Sequence, residues 1–201
     1  MMGDDGLVEA VLAVLRRDDC VVLPTDTVYG LAALAGSARA VQRLQAAKGR
    51  GDDFPPPVLV ADLAAVESWT GPLPPAAGRL AEAYWPGPLT LVLPLAPTAP
   101  PLARPPGAEI AWRVPDHPEL RQLLRATGPL ATSSANRHGH PAATTVDQAR
   151  RQLGRSVALY VDGGPTPGPT PSTVVALAPD GPRVLRPGRL SPADIAWAVA
   201  G

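Results

Sequence analysis

Cys20-Val21-Val22-Leu23-Pro24-Thr25-Asp26-Thr27-Val28-Tyr29-Gly30 passes from an uninterrupted apolar run into a polar turn that leads to another apolar segment. Four apolar residues without alternation predict a short strand buried on both faces. Before them, residues 6–17 repeat their leucines and valines at helical spacing and predict an amphipathic helix. Because a strand buried on both faces needs covering layers above and below, this stretch predicts a sheet between helices.

Short apolar runs and helical patterns continue to alternate along the chain. Further strands are predicted at 57–61, 89–93, 110–114, 129–132, 157–161, 172–177 and 184–185. Further helices are predicted from the N-cap Ser37 to Ala47, after Asp62, at 80–85, at 117–126, from the capping box of Thr145 and Gln148 to Gly154, and from Ser191. The pattern predicts an α/β fold (α+β in some schemes) of three layers, with a twisted, mixed central sheet flanked by helices.

Length and charge limit the classes of function. The 201 residues fit one domain, and the formal net charge is zero, so any anion site must be a local group of cations. A single cysteine, Cys20, excludes an internal disulfide and favours a buried structural thiol. With an acidic start and no apolar run long enough for a membrane span, we expect a soluble, cytoplasmic protein without a membrane partner.

Two residues stand out against a composition rich in Ala, Gly, Pro and Arg. Lys48 is the only lysine beside 17 arginines, and Asn136 is the only asparagine. A lysine ammonium is a compact, rotatable charge, whereas a guanidinium is a planar fork, so a lone lysine is a candidate for chemistry that arginine cannot supply. The alternative is that both are leftover polar groups on the surface.

Small polar side chains gather at the predicted strand ends, where open sheets form ligand crevices. They are Thr25, Thr27, Ser133, Ser134, Asn136, Ser172 and Thr173. Such groups suit a polar small molecule, although each alone could be a turn or cap residue. Arg113 lies within an apolar strand, where its charge needs an anion, either a carboxylate of the protein or a ligand carboxylate.

Common catalytic motifs are missing. The sequence contains no P-loop, no glycine-rich dinucleotide-binding loop, no nucleophile elbow and no cysteine–histidine group at metal-site spacing. His138 and His140, in a predicted loop, are a weak signal for a metal or a base. We therefore predict no protein-bound metal and no covalent nucleophile.

Seven segments, taken together, resemble the YrdC/Sua5 family of L-threonylcarbamoyladenylate synthases. They follow the order of the family over about residues 7–190: Pro24-Thr25-Asp26-Thr27-Val28-Tyr29-Gly30-Leu31, Lys48-Gly49-Arg50, Trp85-Pro86-Gly87-Pro88-Leu89-Thr90, Arg113-Val114-Pro115, Ser134-Ala135-Asn136, Pro171-Ser172-Thr173 and Arg186-Pro187-Gly188. Each segment alone is weak, whereas seven in order are specific. The resemblance implies a single YrdC-like domain, 1–201, of the short form, without the additional C-terminal domain of the longer Sua5 form.

The resemblance also implies an activity. A nucleotidyltransferase of this family forms threonylcarbamoyl-AMP and pyrophosphate from L-threonine, bicarbonate and ATP, for the N6-threonylcarbamoyladenosine (t6A37) modification of tRNA. It implies Mg²⁺ bound with ATP, the tRNA threonylcarbamoyltransferase complex as a downstream partner, and a possible contact with tRNA. Such chemistry joins two anions, and positioned cations can supply most of the acceleration.

Roles carry over to matching positions. The resemblance implies ATP binding by Lys48, Arg50, Ser134, Asn136, Thr144 and Arg186, with Lys48 and Arg50 also catalytic. It implies L-threonine binding by Thr27, Arg113 and Ser172, with Arg113 on the carboxylate.

Two departures from the family pattern affect the site. Gly51-Asp52-Asp53-Phe54-Pro55-Pro56-Pro57 replaces a short polar run, and Leu59 stands where some members have a histidine that contacts threonine. We expect Asp52 and Asp53 to be exposed loop charges; the alternative is that they orient Mg²⁺ or Lys48. An alternative function is a non-catalytic YrdC-like paralogue that binds RNA or a nucleotide, although zero net charge argues against bulk electrostatic RNA binding. A carbamoyl-transferring domain of the hydrogenase-maturation type is more remote.

Overall fold

The computed structural model of the chain describes residues 5–49, 55–99 and 107–200. In these ranges, seven α-helices surround one nine-stranded sheet. The helices are α1 (Asp5–Leu15), α2 (Ala38–Lys48), α3 (Leu63–Thr70), α4 (Pro75–Tyr84), α5 (Pro118–Thr127), α6 (Val146–Leu153) and α7 (Pro192–Ala200). The strands are β1 (Val21–Leu23), β2 (Gly30–Leu34), β3 (Val58–Leu59), β4 (Leu89–Pro94), β5 (Glu109–Arg113), β6 (Leu130–Ser134), β7 (Leu159–Tyr160), β8 (Thr173–Ala178) and β9 (Gly181–Arg186).

The sheet is mixed, as the sequence predicts. Its strand order is β7-β1-β2-β6-β3-β5-β4-β8-β9. The pairs β1/β7, β3/β5 and β4/β8 are parallel, and the remaining neighbours are antiparallel. The last two strands, β8 and β9, pair antiparallel, and β9 forms one edge of the sheet.

Apolar side chains cover both faces of the sheet. Along β1, Val21 and Leu23 pack in one cluster with residues of α1 and α5. Val22, between them, packs in a second cluster with residues of α2 and α6. A third cluster lies under α4 and α7 and contains Trp112. The predicted three-layer arrangement is confirmed.

Helix ends follow their predicted chemistry. Ser37, Asp62 and Thr145 are N-caps whose side chains accept a hydrogen bond from the backbone N–H three residues later. In a standard capping box, Gln148 would accept a hydrogen bond from the backbone N–H of the N-cap, Thr145. Here the Gln148 Oε1 accepts from the N–H of Thr144, one residue earlier.

Three elements differ from the prediction. The sequence predicts no strand over Gly30–Leu34, yet this segment is the interior strand β2, almost wholly buried between β1 and β6. Helix α4 begins at Pro75, before the predicted residue 80, because proline fits the first turn of a helix. The strand predicted at 157–161 pairs over only two residues, Leu159–Tyr160, at the edge beside β1.

Polar residues lie at different heights along the strands of the sheet. Gly30 pairs with Ser134, at the start of β2 and the end of β6. Leu59 pairs with Arg113 on one side and with Leu130 on the other, so the ends of β3 and β5 lie beside the start of β6. No helix in the described part of the chain is both long and apolar enough to cross a membrane.

Candidate active site

A cleft of about 280 Å³ is lined by residues of several strands, including Gly30 of β2, Ser134 of β6 and Arg113 of β5. Its lining contains seven of the nine predicted site residues: Thr27, Lys48, Arg113, Ser134, Asn136, Ser172 and Arg186. Arg50, like Asp52 and Asp53, lies outside the described residues. Thr144 is not brought to the lining, because its hydroxyl donates to Gln148 Oε1 at 3.0 Å beside the start of α6.

Lys48 is the last residue of α2 and lines the cleft beside the end of β6. Gly49 closes the helix with a φ of 65°, in the left-handed region that favours glycine. The Lys48 Nζ donates to Ser134 O at 2.7 Å, to Ser134 Oγ at 3.3 Å and to Asn136 Oδ1 at 3.1 Å. Lys48 and Asn136 are 5% and 6% exposed, so the alternative of leftover surface residues is wrong.

Asn136 fixes the loop that follows β6. Its amide nitrogen donates to Arg137 O at 2.8 Å and to His140 O at 2.7 Å. Both N–H groups are therefore used within the protein, while Oδ1 faces the ammonium of Lys48. The geometry gives Asn136 the task of holding Lys48 and the 137–140 turn together, and its ATP-binding role stays a prediction.

Arg113 ends β5 and is buried beside a carboxylate of the protein. Its Nη2 lies 2.7 Å from Asp26 Oδ1, its Nη1 donates to Thr27 Oγ1 at 3.1 Å, and its Nε donates to Gly87 O at 3.1 Å. Burial lowers the pKa of this guanidinium, and the Asp26 carboxylate opposes that shift. Of the two partners that the sequence leaves open for Arg113, the structure supplies the protein carboxylate.

The hydrogen bonds of Arg113 within the protein do not use all of its N–H donors. A guanidinium carries five N–H donors, and three of them have partners among the described residues. Since Arg113 also lines the cleft, the other two can meet a ligand carboxylate there.

Ser172 and Arg186 form the opposite wall. Arg186 Nη2 donates to Ser172 O at 2.8 Å and to Ser172 Oγ at 3.1 Å. Thr90 Oγ1 lies 2.8 Å from Ser172 Oγ. Burial lowers the pKa of Arg186, and the positive charge of Arg113 lowers it further.

The cleft is electrostatically one-sided. Lys48, Arg113 and Arg186 line it, whereas no Asp or Glu among the described residues does. Hydroxyl groups complete its polar surface: Thr25, Thr27, Thr90, Thr132, Ser133, Ser134 and Ser172. A chain with zero net charge has thus concentrated cations at one concave site, as an anionic ligand requires.

Sequence reasoning missed some of these side chains. Thr90 interrupts the apolar strand β4, and Thr132 begins the polar half of β6; these polar positions are the signal in the sequence. Asp26 stood in the opening polar turn, but its pairing with Arg113 joins residues 87 positions apart. His138 lines the cleft and is exposed, and its backbone N–H donates to Lys48 O at 2.9 Å. Across the described ranges, no group of three or more His, Cys, Asp or Glu residues is placed to hold a metal ion.

A cation-lined, hydroxyl-rich cleft built on the strands of a mixed sheet defines a class of α/β protein that binds small anionic ligands. Within that class, the chain belongs to the Sua5/YciO/YrdC family, whose family model, described as "Telomere recombination", matches residues 13–188. The family prediction made from the seven segments is confirmed.

Named relatives agree with this assignment. A Mycobacterium tuberculosis (strain ATCC 25618 / H37Rv) relative, provisionally named a threonylcarbamoyl-AMP synthase, is 44% identical over 95% of this chain and 88% of its own length. The Bacillus subtilis (strain 168) threonylcarbamoyl-AMP synthase is 41% identical over 96% of this chain and 56% of its own. The structure of Pyrococcus abyssi Sua5 complexed with L-threonine matches with a TM-score of 0.89 and 33% identity, over 98% of this chain and 58% of that one. The chain thus spans little more than half the length of the Bacillus and Pyrococcus proteins.

Proposed function

We propose that the chain is an L-threonylcarbamoyladenylate synthase, which makes threonylcarbamoyl-AMP and pyrophosphate from L-threonine, bicarbonate and ATP. The observation that carries the proposal is the cleft wall, in which Lys48, Arg113 and Arg186 face one volume without a lining carboxylate among the described residues. The names of the Mycobacterium and Bacillus relatives support it.

L-threonine is placed at the Arg113 side of the cleft. Its carboxylate takes the two guanidinium N–H groups left over from Asp26, Thr27 and Gly87, with the Thr27 hydroxyl beside them. Ser172 closes the pocket from the β8 side. Leu59 lines the same cleft and offers an apolar surface where some members of the family have a histidine.

ATP is placed at the Lys48 side. The ammonium of Lys48, the Ser134 hydroxyl and the guanidinium of Arg186 suit phosphate oxygens, and Arg50 is proposed to join them from outside the described residues. We propose that Mg²⁺ enters as part of the Mg-ATP substrate, bridging phosphate oxygens.

The proposed reaction needs no protein nucleophile. The threonine amine and bicarbonate form a carbamate with loss of water, and a carbamate oxygen then attacks the α-phosphorus of ATP. The bond from the α-phosphorus to the bridging oxygen breaks, and pyrophosphate leaves. Lys48, Arg113 and Arg186 bring the two anions together and stabilise the charge that builds up on the phosphoryl oxygens.

The wider role follows from the product. We propose that threonylcarbamoyl-AMP is passed to a tRNA threonylcarbamoyltransferase complex for t6A37 formation, with a possible tRNA contact by this chain. A cytoplasmic location, where ATP and tRNA are both present, is part of the same proposal.

Pyrophosphate release tests the activity. Purified protein is incubated with Mg-ATP and bicarbonate, and pyrophosphate is measured with L-threonine, with L-serine and without an amino acid. We expect release that depends on L-threonine and is lower with L-serine. Pyrophosphate release that does not depend on the amino acid, or no release at all, would reject the proposed synthase activity. Either result would favour the alternative of a non-catalytic paralogue that binds RNA or a nucleotide.

A further inference from the structure

The turn between β1 and β2 contains a hydroxyl whose proton position can be deduced. Thr25 Oγ1 lies 2.6 Å from Val28 O and donates to it. A carbonyl oxygen only accepts hydrogen bonds, and a hydroxyl has one proton, so the proton of Thr25 is committed to Val28. The lone pairs of Thr25 Oγ1 accept from the backbone N–H groups of Thr27 at 3.1 Å and Val28 at 3.3 Å.

This assignment determines what the neighbouring Thr27 hydroxyl can do. Arg113 Nη1 donates to Thr27 Oγ1 at 3.1 Å, and a guanidinium cannot accept a hydrogen bond. Thr25 Oγ1 is 3.2 Å from Thr27 Oγ1 but has no proton left to give. Among the described residues, Thr27 Oγ1 has no hydrogen-bond partner besides Arg113 and Thr25, so its proton points either at Thr25 Oγ1, which already accepts two hydrogen bonds, or into the cleft.

We infer that Thr25 is a positioning residue: its oxygen accepts a hydrogen bond from the backbone N–H of Thr27 and so holds the Thr27 hydroxyl, as a hydrogen-bond donor, towards the carboxylate of an amino-acid substrate. Both threonines line the cleft and are otherwise buried, Thr25 6% exposed and Thr27 1% exposed. A carboxylate at the unused N–H groups of Arg113 is a stronger acceptor than the doubly used oxygen of Thr25. This inference rests on the proposed function, since it assumes that the carboxylate belongs to L-threonine.

A purely structural role for Thr25 is the competing explanation, because its hydroxyl also closes the turn to Val28. The two explanations differ in what happens once Thr27 has lost its hydroxyl. If Thr25 acts only through the Thr27 hydroxyl, then adding Thr25→Val to Thr27→Val should not lower L-threonine affinity further. If Thr25 has only a structural role, the added substitution should lower the affinity again. A double-mutant cycle separates them.

The experiment measures L-threonine and ATP affinities by calorimetry for the wild type, Thr25→Val, Thr25→Ser, Thr27→Val and Thr25→Val/Thr27→Val. Thr70→Val makes the same chemical change on α3, outside the cleft lining. We expect Thr25→Val to weaken L-threonine binding about tenfold, the order of one hydrogen bond to a charged group, with ATP affinity unchanged. Thr25→Ser and Thr70→Val should stay within about twofold of the wild type. The double variant should equal Thr27→Val.

Several outcomes would overturn the inference: wild-type L-threonine affinity in Thr25→Val, an equal loss of ATP affinity, or a further loss when Thr25→Val is added to Thr27→Val. Melting temperatures are recorded for each variant, and Thr25→Cys, whose thiol is a weak donor, replaces Thr25→Val should the latter fail to fold. A wild type that does not bind L-threonine would overturn the proposed function and this inference together. Binding by the wild type with an unaffected Thr25→Val would overturn this inference alone.

Discussion

The ammonium of Lys48 lies 3.1 Å from Asn136 Oδ1, which joins the only lysine of the chain to its only asparagine. The two residues are 88 positions apart and come from α2 and the loop after β6. Because the Asn136 amide also holds the 137–140 turn, the pair fixes a point charge beside the Ser134 hydroxyl at the cleft wall. An arginine fork in place of Lys48 cannot reproduce that compact geometry.

Replacement of Lys48 tests this charge. We expect Lys48→Ala and Lys48→Arg each to lower threonine-dependent pyrophosphate release by about a hundredfold or more, the order found when one preorganised stabilising group is removed. Arg125→Ala is a matched control, since Arg125 is exposed and lies 3.8 Å from Asp62 on the surface. Circular dichroism verifies folding, and a wild-type rate in folded Lys48→Arg would show that the compact ammonium is not required.

Substitution of Arg113 tests the proposed binding site for the L-threonine carboxylate. Arg113→Ala leaves Asp26, whose side chain is 11% exposed, without its cation, so we expect destabilisation of about 3–5 kcal/mol in urea unfolding. Asp26→Asn/Arg113→Ala should recover part of that stability without recovering L-threonine affinity. Both variants should keep ATP affinity by calorimetry. Recovery of L-threonine binding in the double variant would remove Arg113 from the carboxylate site.

Local sequence patterns predict much of the fold and part of the site. Ser37, Asp62 and Thr145 were predictable caps because the residues that satisfy them are three positions away. By contrast, β2 is a strand because β1 and β6 lie on either side of it, which no local pattern records.

Pairings over long separations limited the prediction of the site. The Asp26–Arg113 ion pair depends on the turn after β1 meeting the end of β5. The family resemblance assigns Thr144 to ATP; its hydroxyl donates to Gln148 Oε1 in the structure, and the ATP-binding role stays a prediction. The composition alone marks Lys48 and Asn136 as unusual, whereas the hydrogen bond between them is visible only in the folded chain.

Gly188 tests the support of Ser172. A Cβ at this position would lie 2.4 Å from Ser172 C and 2.5 Å from Pro171 O, and backbone atoms cannot move aside as a side chain can. We therefore expect Gly188→Ala to shift Ser172 and to weaken L-threonine binding by calorimetry by about tenfold or more, the order of one displaced hydrogen bond to a charged group.

The matched control for Gly188 is Gly78 in α4, where an added Cβ would meet nothing within 4 Å. Gly78→Ala should leave ligand binding unchanged and raise stability by about 0.5–1 kcal/mol through helix propensity. Equal binding in the two alanine variants would show that the approach of Gly188 to Ser172 does not matter for the site.

Cys20 gives a pH prediction away from the cleft. Burial raises the pKa of its thiol from 9.0 to about 11. The folded protein should therefore resist alkylation by iodoacetamide at pH 8 and react rapidly in denaturant. Since the folded pKa lies above the unfolded one, the thiol contributes full stability below pH 9.0 and loses that contribution as the pH rises towards about 11. Cys20→Ala should flatten this part of the stability profile, and an unchanged slope would assign it to other groups.

In the proposed reaction, one cation-lined cleft joins a carbamate of L-threonine to AMP. Mass spectrometry of the nucleotide formed from L-threonine, Mg-ATP and ¹³C-bicarbonate by the wild type and by Lys48→Ala tests this reaction most directly. We predict threonylcarbamoyl-AMP that carries the label with the wild type and none above background with Lys48→Ala. An unlabelled threonyl-adenylate, or equal labelled product from Lys48→Ala, would contradict the claim.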